Sequence, residues 1–471
     1  MDNCSNMKHI LRYGTNAEQK YIEQIKNSFD LLAFNGNMLA YTPGAIAGFI
    51  MMHILKSKRS KGYFIDPITH AFQHDISTIS SYSEKEKKIK IKKSVENLIE
   101  AYGEPIQSNI NSEISVLPSH FNTPELKLEF CKNVINFQLN TIITELEKKG
   151  FMDYINNAAL DISKLKPCFL IAPYFYLTTK PTDFKWLPLN CEFIKLTKSI
   201  ANDQEVYAQL VVSKEILTNE SFRNEILDEY TKVKPSGVLL WIDKFDDHDA
   251  NISELNSFVE IIKKFTQNEI PIYNLYGGFF STILTGFKNE LGFELSGVGH
   301  ALEYGESRAV VPVGGGIPTN KYYYYPLHNR LDYKDASTLL RSLGYFSVPP
   351  SDGAREYKKN ICHCPTCMEV IQDDINNFSL FENTEFYDIT LHGVKQKRSY
   401  ASQDTKEICV LHYQYNKHKE FLEVEKRSLN DFISRLEKTN SDYAPHEPEL
   451  SKQIDYLSNW SSVLKSLVGL K

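Results

Sequence analysis

Three thiols fall within six positions in Ile361-Cys362-His363-Cys364-Pro365-Thr366-Cys367. Cys-x-Cys-x-x-Cys on one tight turn supplies deprotonatable sulfur ligands, and thiolates with an imidazole suit a tetrahedral zinc ion. A fourth ligand must come from elsewhere in the chain. His412, in Val410-Leu411-His412 after 44 intervening residues, is the first choice, placed at the expected start of a helix; His418, His392 and Cys409 are its rivals. Four protein ligands leave no open coordination position, so the zinc is expected to be structural, holding the C-terminal region together without catalysing. The competing reading is three reduced cysteines on a loop. Eight cysteines in 471 residues, three of them clustered, do not read as a disulfide framework and point to an intracellular metal site.

Two acids end apolar runs. Asp66 closes Tyr63-Phe64-Ile65 before Pro67, and Asp243 closes Leu239-Leu240-Trp241-Ile242. Where strands form a barrel, catalytic groups sit at their C-terminal ends. A pair of carboxylates, one attacking an anomeric carbon and one moving protons, is the equipment of retaining glycosyl transfer. The plainer readings are a turn cap for Asp66 and a solvated acidic loop for Asp243 with Asp246, Asp247 and Asp249; Glu303 and Glu306 are reserves for the nucleophile. Phe72 is either a stacking face for a base or a core residue. Lys56, Lys58, Arg59, Lys61 and the run Lys85–Lys93 either grip phosphates beside Asp66 or cover a solvated helix. Gly314-Gly315-Gly316 lacks the spacing of a phosphate loop.

The elements that must position these groups follow from periodicity. Apolar strand-like runs occur at Tyr63–Asp66, Cys168–Tyr174, Val206–Val212, Gly237–Ile242, Ile272–Leu275 and Phe293–Val298. Helical spacing falls at 17–34, 84–102, 124–149, 215–232 and 251–266, and past the cysteines at 418–437 and 450–469. Strand and helix in alternation imply parallel β/α units. The fold expected is an α/β architecture, a (β/α)8 barrel over residues 1–340 with N-terminal helices, followed by a zinc-binding and helical region over 341–471; an open doubly wound sheet is second. The net charge of -6 advertises no nucleic acid overall, so any such contact must use a local basic face. The longest apolar stretch, Ala45–Leu55, is too short to span a bilayer, and the first residues carry no signal-peptide pattern, so a cytoplasmic protein without membrane contact is expected.

The C-x-C-x-x-C cluster with a distant Leu-His, behind a barrel-like region, resembles the tRNA-guanine transglycosylase superfamily. Ile65-Asp66-Pro67-Ile68-Thr69-His70-Ala71-Phe72-Gln73 resembles that family's general-base strand end, with Phe-Gln two residues late and the Ser-Gly-Gly turn absent. Tyr207-Ala208-Gln209 looks like the strand bearing a base-recognising glutamine. Phe293-Glu294-Leu295-Ser296-Gly297 stands where the nucleophilic aspartate belongs, and no aspartate is there. Tyr276-Gly277-Gly278 and Tyr304-Gly305-Glu306 look more like the branch that modifies DNA. The resemblance, loosely over residues 60–425, implies exchange of guanine in DNA, or secondarily tRNA, for a 7-deazaguanine base. It assigns Asp66 as general base and Gln209 as a base contact, and Asp243 is the best remaining nucleophile. A flipped-out guanine is the natural target. A partner protein or a homodimer is compatible with this reading. The alternative from another class is a non-catalytic nucleic-acid-binding subunit on the same fold, favoured by the missing aspartate.

Overall fold

The computed structural model describes residues 8–55, 62–83, 87–157, 161–303, 305–311, 321–391, 394–450 and 453–470. Lys56, Lys58, Arg59, Lys61, Lys85, Tyr304, His392 and Gly314-Gly315-Gly316 lie outside the described residues. The chain divides into two compact units, Met1–Ala301 with Glu306–Gly315, and Leu302–Gly305 with Gly316–Lys471.

In the first unit eight strands form one parallel sheet: β1 (His9–Tyr13), β2 (Leu31–Asn35), β3 (Tyr63–Asp66), β4 (Leu170–Ile171), β5 (Val206–Val212), β6 (Gly237–Ile242), β7 (Ile272–Asn274) and β8 (Gly297–Ala301). Consecutive strands pair, and β1 pairs with β8, His9 opposite Val298. The two remaining edges meet where the Cys168 N–H donates to the Tyr63 carbonyl at 2.8 Å, so the sheet is nearly closed as a barrel. At this seam Gly62 has φ 122°, and a Cβ there would fall 2.3 Å from Cys168 Sγ. Only glycine meets both demands.

Strands covered by helices outside and by a packed interior read as unbroken apolar runs, because both faces are buried. Every residue of β5 and β6 is buried. Aromatic rings fill the interior: Phe169 stacks on Tyr207 with centroids 3.8 Å apart, and Phe64 on Phe169 at 4.9 Å. Gly237 makes room for this, since a Cβ there would lie 2.5 Å from the Tyr207 ring.

Several sequence boundaries move. Of residues 17–34, only Gln19–Gln24 is α-helical, and Leu31–Asn35 is the strand β2. Leu31 to Phe34 are all buried, and a continuous apolar run satisfies helical spacing as well as strand burial. Residues 84–102 are not one surface helix: Ser80–Ser83 and Lys88–Ile91 pair as a hairpin, and the helix begins at Lys93. The run at Phe293–Val298 becomes a strand only from Gly297. The expected helix 418–437 spans a break after Lys426, where Ser428 caps the next helix by accepting from Asp431 N–H at 3.2 Å.

The second unit begins upstream of residue 340. It contains an antiparallel pair, Tyr322–Tyr324 with Asn329–Leu331, and the helices Tyr333–Ser342, Pro350–Asn360, Pro365–Ile371, Gln403–Lys426, Leu429–Tyr443 and Tyr456–Leu467. A second hairpin joins Thr384–Leu391 to Val394–Ala401. Among the described residues no helix is long and apolar enough to cross a membrane.

Candidate functional site

The second unit gathers Cys362, Cys364, Cys367 and His412, with their ligand atoms all within 4.8 Å of one another. The turn is built by its own thiols. Cys364 caps the helix Pro365–Ile371, its Sγ accepting from Cys367 N–H at 3.4 Å, and Cys362 Sγ accepts from Cys364 N–H at 3.4 Å. Pro365, at the first helical position, gives up no needed donor. His412 lies within the helix Gln403–Lys426, not at its start. Its Nδ1 is 3.8, 3.4 and 3.2 Å from the sulfurs of Cys362, Cys364 and Cys367. Its Nε2 is 2.8 Å from the Tyr323 carbonyl, which can only accept. Nε2 therefore carries the hydrogen, and the Nδ1 lone pair faces the sulfurs, the tautomer a metal ligand requires. The Tyr322 ring stacks on His412 at 4.6 Å and fixes its plane.

These four residues could hold a metal ion. Tetrahedral bonds of about 2.3 Å to sulfur and about 2.0 Å to nitrogen separate ligand atoms by roughly 3.5–3.8 Å, close to the spacings observed. Burial pushes the Cys362 thiol up, but hydrogen bonds from Cys364 and Cys367 and the charge of His412 outweigh it and hold it well below the ordinary thiol range. Against the lowering effect of burial, the charges of Cys362 and Cys364 raise His412 to about 10. A bound cation displaces these protons, so binding releases them and weakens in acid. Metal content after dialysis against a chelator is expected to persist at pH 8 and to be lost at pH 5; equal retention at both would count against this ligand set. Of the rivals, Cys409 is buried with its thiol toward the Phe381 carbonyl at 3.6 Å, and His418 is not in the cluster.

The first unit carries its polar groups at the C-terminal ends of the strands. Asp66 ends β3 and is 7% exposed. Its Oδ1 accepts from Ile68 N–H at 2.9 Å and Tyr174 OH at 2.6 Å, and its Oδ2 accepts from Gln209 Nε2 at 3.3 Å. Burial raises its proton affinity above the ordinary carboxylate range, with the hydrogen bonds from Tyr174, Ile68 and Gln209 opposing. Gln209 Oε1 has no hydrogen-bond partner among the described residues. Rotating that amide lets it accept from a protonated Asp66, so the pocket can serve either protonation state.

From Asp66 the hydrogen bonds continue through Tyr174 OH to His70 Nδ1 at 3.1 Å. His70 stacks on Tyr174 at 5.3 Å, and burial keeps it well below its usual range, hence neutral. His70 lines a cleft of about 60 Å³, with His74, Asn35, Lys92, Trp241 and Arg308 among its other walls. Asp66 reaches this cleft through Tyr174 and His70. The segment bearing Tyr174 is clamped at both ends. Thr69 Oγ1 accepts from Tyr174 N–H at 2.9 Å and donates to the Tyr174 carbonyl at 2.6 Å, and the Gln73 amide makes the same pair with Tyr176, at 2.6 and 3.0 Å.

Asp243 follows β6, with Oδ2 accepting from Tyr176 OH at 3.3 Å and Oδ1 from Val310 N–H at 2.7 Å. Tyr174 and Tyr176, two residues apart, thus hold the two carboxylates. Of the acidic neighbours, Asp247 is not solvated: 1% exposed, it accepts from Gly278 N–H at 3.0 Å and Ser281 N–H at 2.9 Å. Phe72 has no exposed surface and packs edge-on against Tyr102 at 6.1 Å, so it offers no face to a base. Glu303, in the second unit, pairs with Lys406 at 2.7 Å. Sequence reasoning missed Tyr174, Tyr176, His70 and Arg308; the signal for the tyrosines was their place at the end of an apolar run. No protein-family model matches the chain, and no curated protein matches it in sequence.

Proposed function

We propose that the protein is a base-exchange transglycosylase, replacing guanine in nucleic acid, DNA in preference to tRNA, with a 7-deazaguanine, and that zinc ties its C-terminal unit together. The observation carrying this reading is Asp66: a buried strand-end carboxylate with raised proton affinity, held by a tyrosine and by a glutamine able to donate or accept. Such a group suits proton transfer better than attack. Asp243 then attacks the anomeric carbon. The C–N bond to guanine breaks as a C–O bond to Asp243 forms, and the departing base takes a proton from Asp66. In the second half Asp66 removes the proton from the incoming 7-deazaguanine, whose nitrogen displaces Asp243 from the sugar. Zinc is the metal best suited by three thiolates and one imidazole in a closed tetrahedral set.

Trapping with guanine-containing DNA followed by proteolysis is expected to give a peptide with sugar on Asp243. Sugar on Glu303 or Glu306 would move the role there. One observation favours the second reading, a non-catalytic nucleic-acid-binding subunit: both Asp243 oxygens are already engaged by Val310 and Tyr176, as those of a structural aspartate are. No covalent species under any condition would select that reading.

A further inference from the structure

Thr384–Leu391 and Val394–Ala401 form an antiparallel ribbon with eight residues in each strand. At about 3.3 Å per residue it is about 26 Å long. It joins no larger sheet among the described residues, and residues 384–388 and 395–399 are exposed on both of its faces. A lone two-stranded ribbon buries too little to be stable by itself, so its length and its exposed rings call for a partner. Phe386 is 76% exposed and Tyr387 40%.

Register assigns the side chains to faces. Phe386 opposite Ser399 and Asp388 opposite Lys397 share one face with Lys395; Glu385 opposite Tyr400 and Tyr387 opposite Arg398 share the other with Gln396. One face therefore combines an aromatic ring with two cations and one acid, the other an aromatic pair with one cation and one acid. All three cations lie on the strand Val394–Ala401, while both acids lie on its partner. Among the described residues none of Lys395, Lys397 and Arg398 is in an ion pair. On a chain of net charge -6, three such cations on one strand are a local basic edge.

We propose that this ribbon is a docking arm that lies in the major groove of duplex DNA. The proposal rests on the base-exchange reading for the partner's being a nucleic acid, and deepens it by naming the duplex. The shape argues for DNA. A B-form major groove about 12 Å wide admits a two-stranded ribbon, whereas the A-form RNA major groove is too deep and narrow for side chains to read. Lys395, Lys397 and Arg398 meet phosphates, releasing counterions. Gln396, joined to Arg398 at 3.4 Å, carries the donor and acceptor that recognise a base edge.

The experiment is fluorescence anisotropy of the intact chain with a short duplex DNA and a duplex RNA of the same sequence, across a salt series. The triple variant Lys395→Ala/Lys397→Ala/Arg398→Ala is expected to lose roughly tenfold or more in DNA affinity at low salt and about two to three units of salt slope. Duplex RNA should bind more weakly and be indifferent to the variant. Circular dichroism and melting checks folding, which exposed substitutions should leave unchanged. Unchanged DNA affinity and slope overturn the proposal, and so does an equal loss on RNA. A changed sedimentation coefficient with unchanged DNA binding also overturns it, making the ribbon a contact between two copies. Binding is read without turnover, so ribbon-dependent DNA binding in a chain that exchanges no base sustains this proposal and sinks only the base-exchange reading.

Discussion

Cys364→Ser is expected to reduce metal content from about one ion per chain to a small fraction and to lower solubility and melting temperature together. The reason is that a structural ion bound by folded ligands contributes its binding energy to folding, on the order of 10 kcal/mol or more for tetrahedral zinc sites. Cys364 is both a ligand candidate and the cap of the helix Pro365–Ile371, so its loss removes an ion contact and the acceptor for Cys367 N–H. Serine at the cap retains an acceptor, which weights the loss toward the metal. Cys409→Ser is the control, because that thiol lies on the same helix as His412 but points to the Phe381 carbonyl, away from the cluster. Elemental analysis and calorimetry on both variants decide the matter. Full occupancy and unchanged melting in Cys364→Ser would remove the metal assignment, and equal loss in Cys409→Ser would reduce it to a general packing defect.

Asp66→Asn should abolish base exchange, by roughly 10²–10⁴-fold for each proton transfer lost, while nucleic-acid binding persists. The amide keeps the acceptor for Ile68 N–H and Tyr174 OH, and the rotatable Gln209 amide accommodates its NH2 group. Stability should move the other way. Burial raises the proton affinity of Asp66 in the folded chain, so between its unfolded and folded pKa values the folded state holds a proton that the unfolded state has lost. Wild-type stability therefore falls as pH rises through that window, whereas the asparagine variant has no such slope. Melting curves from acid to neutral pH, beside an exchange assay with labelled guanine, test both halves. Retained turnover would make Asp66 structural.

The fold was legible where a strand's apolar run had sharp ends. Val206–Val212 and Gly237–Ile242 stop at Ser213 and Asp243, and their limits are those of β5 and β6. It was illegible where β2 follows a helix through residues that satisfy both periods, and at β1, whose five residues are too short to announce a period. The metal cluster was readable because three of its four ligands are neighbours in sequence, which left only the distant histidine to be chosen among rivals. The surroundings of Asp66 were not, because Tyr174 lies 108 residues away and Gln209 lies 143 away. Only barrel closure brings them together. Phe72 was open between a stacking face and a core residue, and only the packing of Tyr102, from a helix 30 residues on, decides for the core.

The long connection between β3 and β4 has an evolutionary consequence. Eight of the thirteen residues around the cleft, among them Ile68, His70, His74, Lys92 and Val95, come from this one excursion, while Asp66, Gln209 and Asp243 sit on or directly after strands. Reactive groups and lining are thus inherited from different parts of the chain. A lineage could change His74, Thr78, Lys92 and Val95 and acquire a new ligand preference while keeping Ile68, Thr69, Gln73 and Gln138, through which the same connection holds Asp66, the two tyrosines and β4.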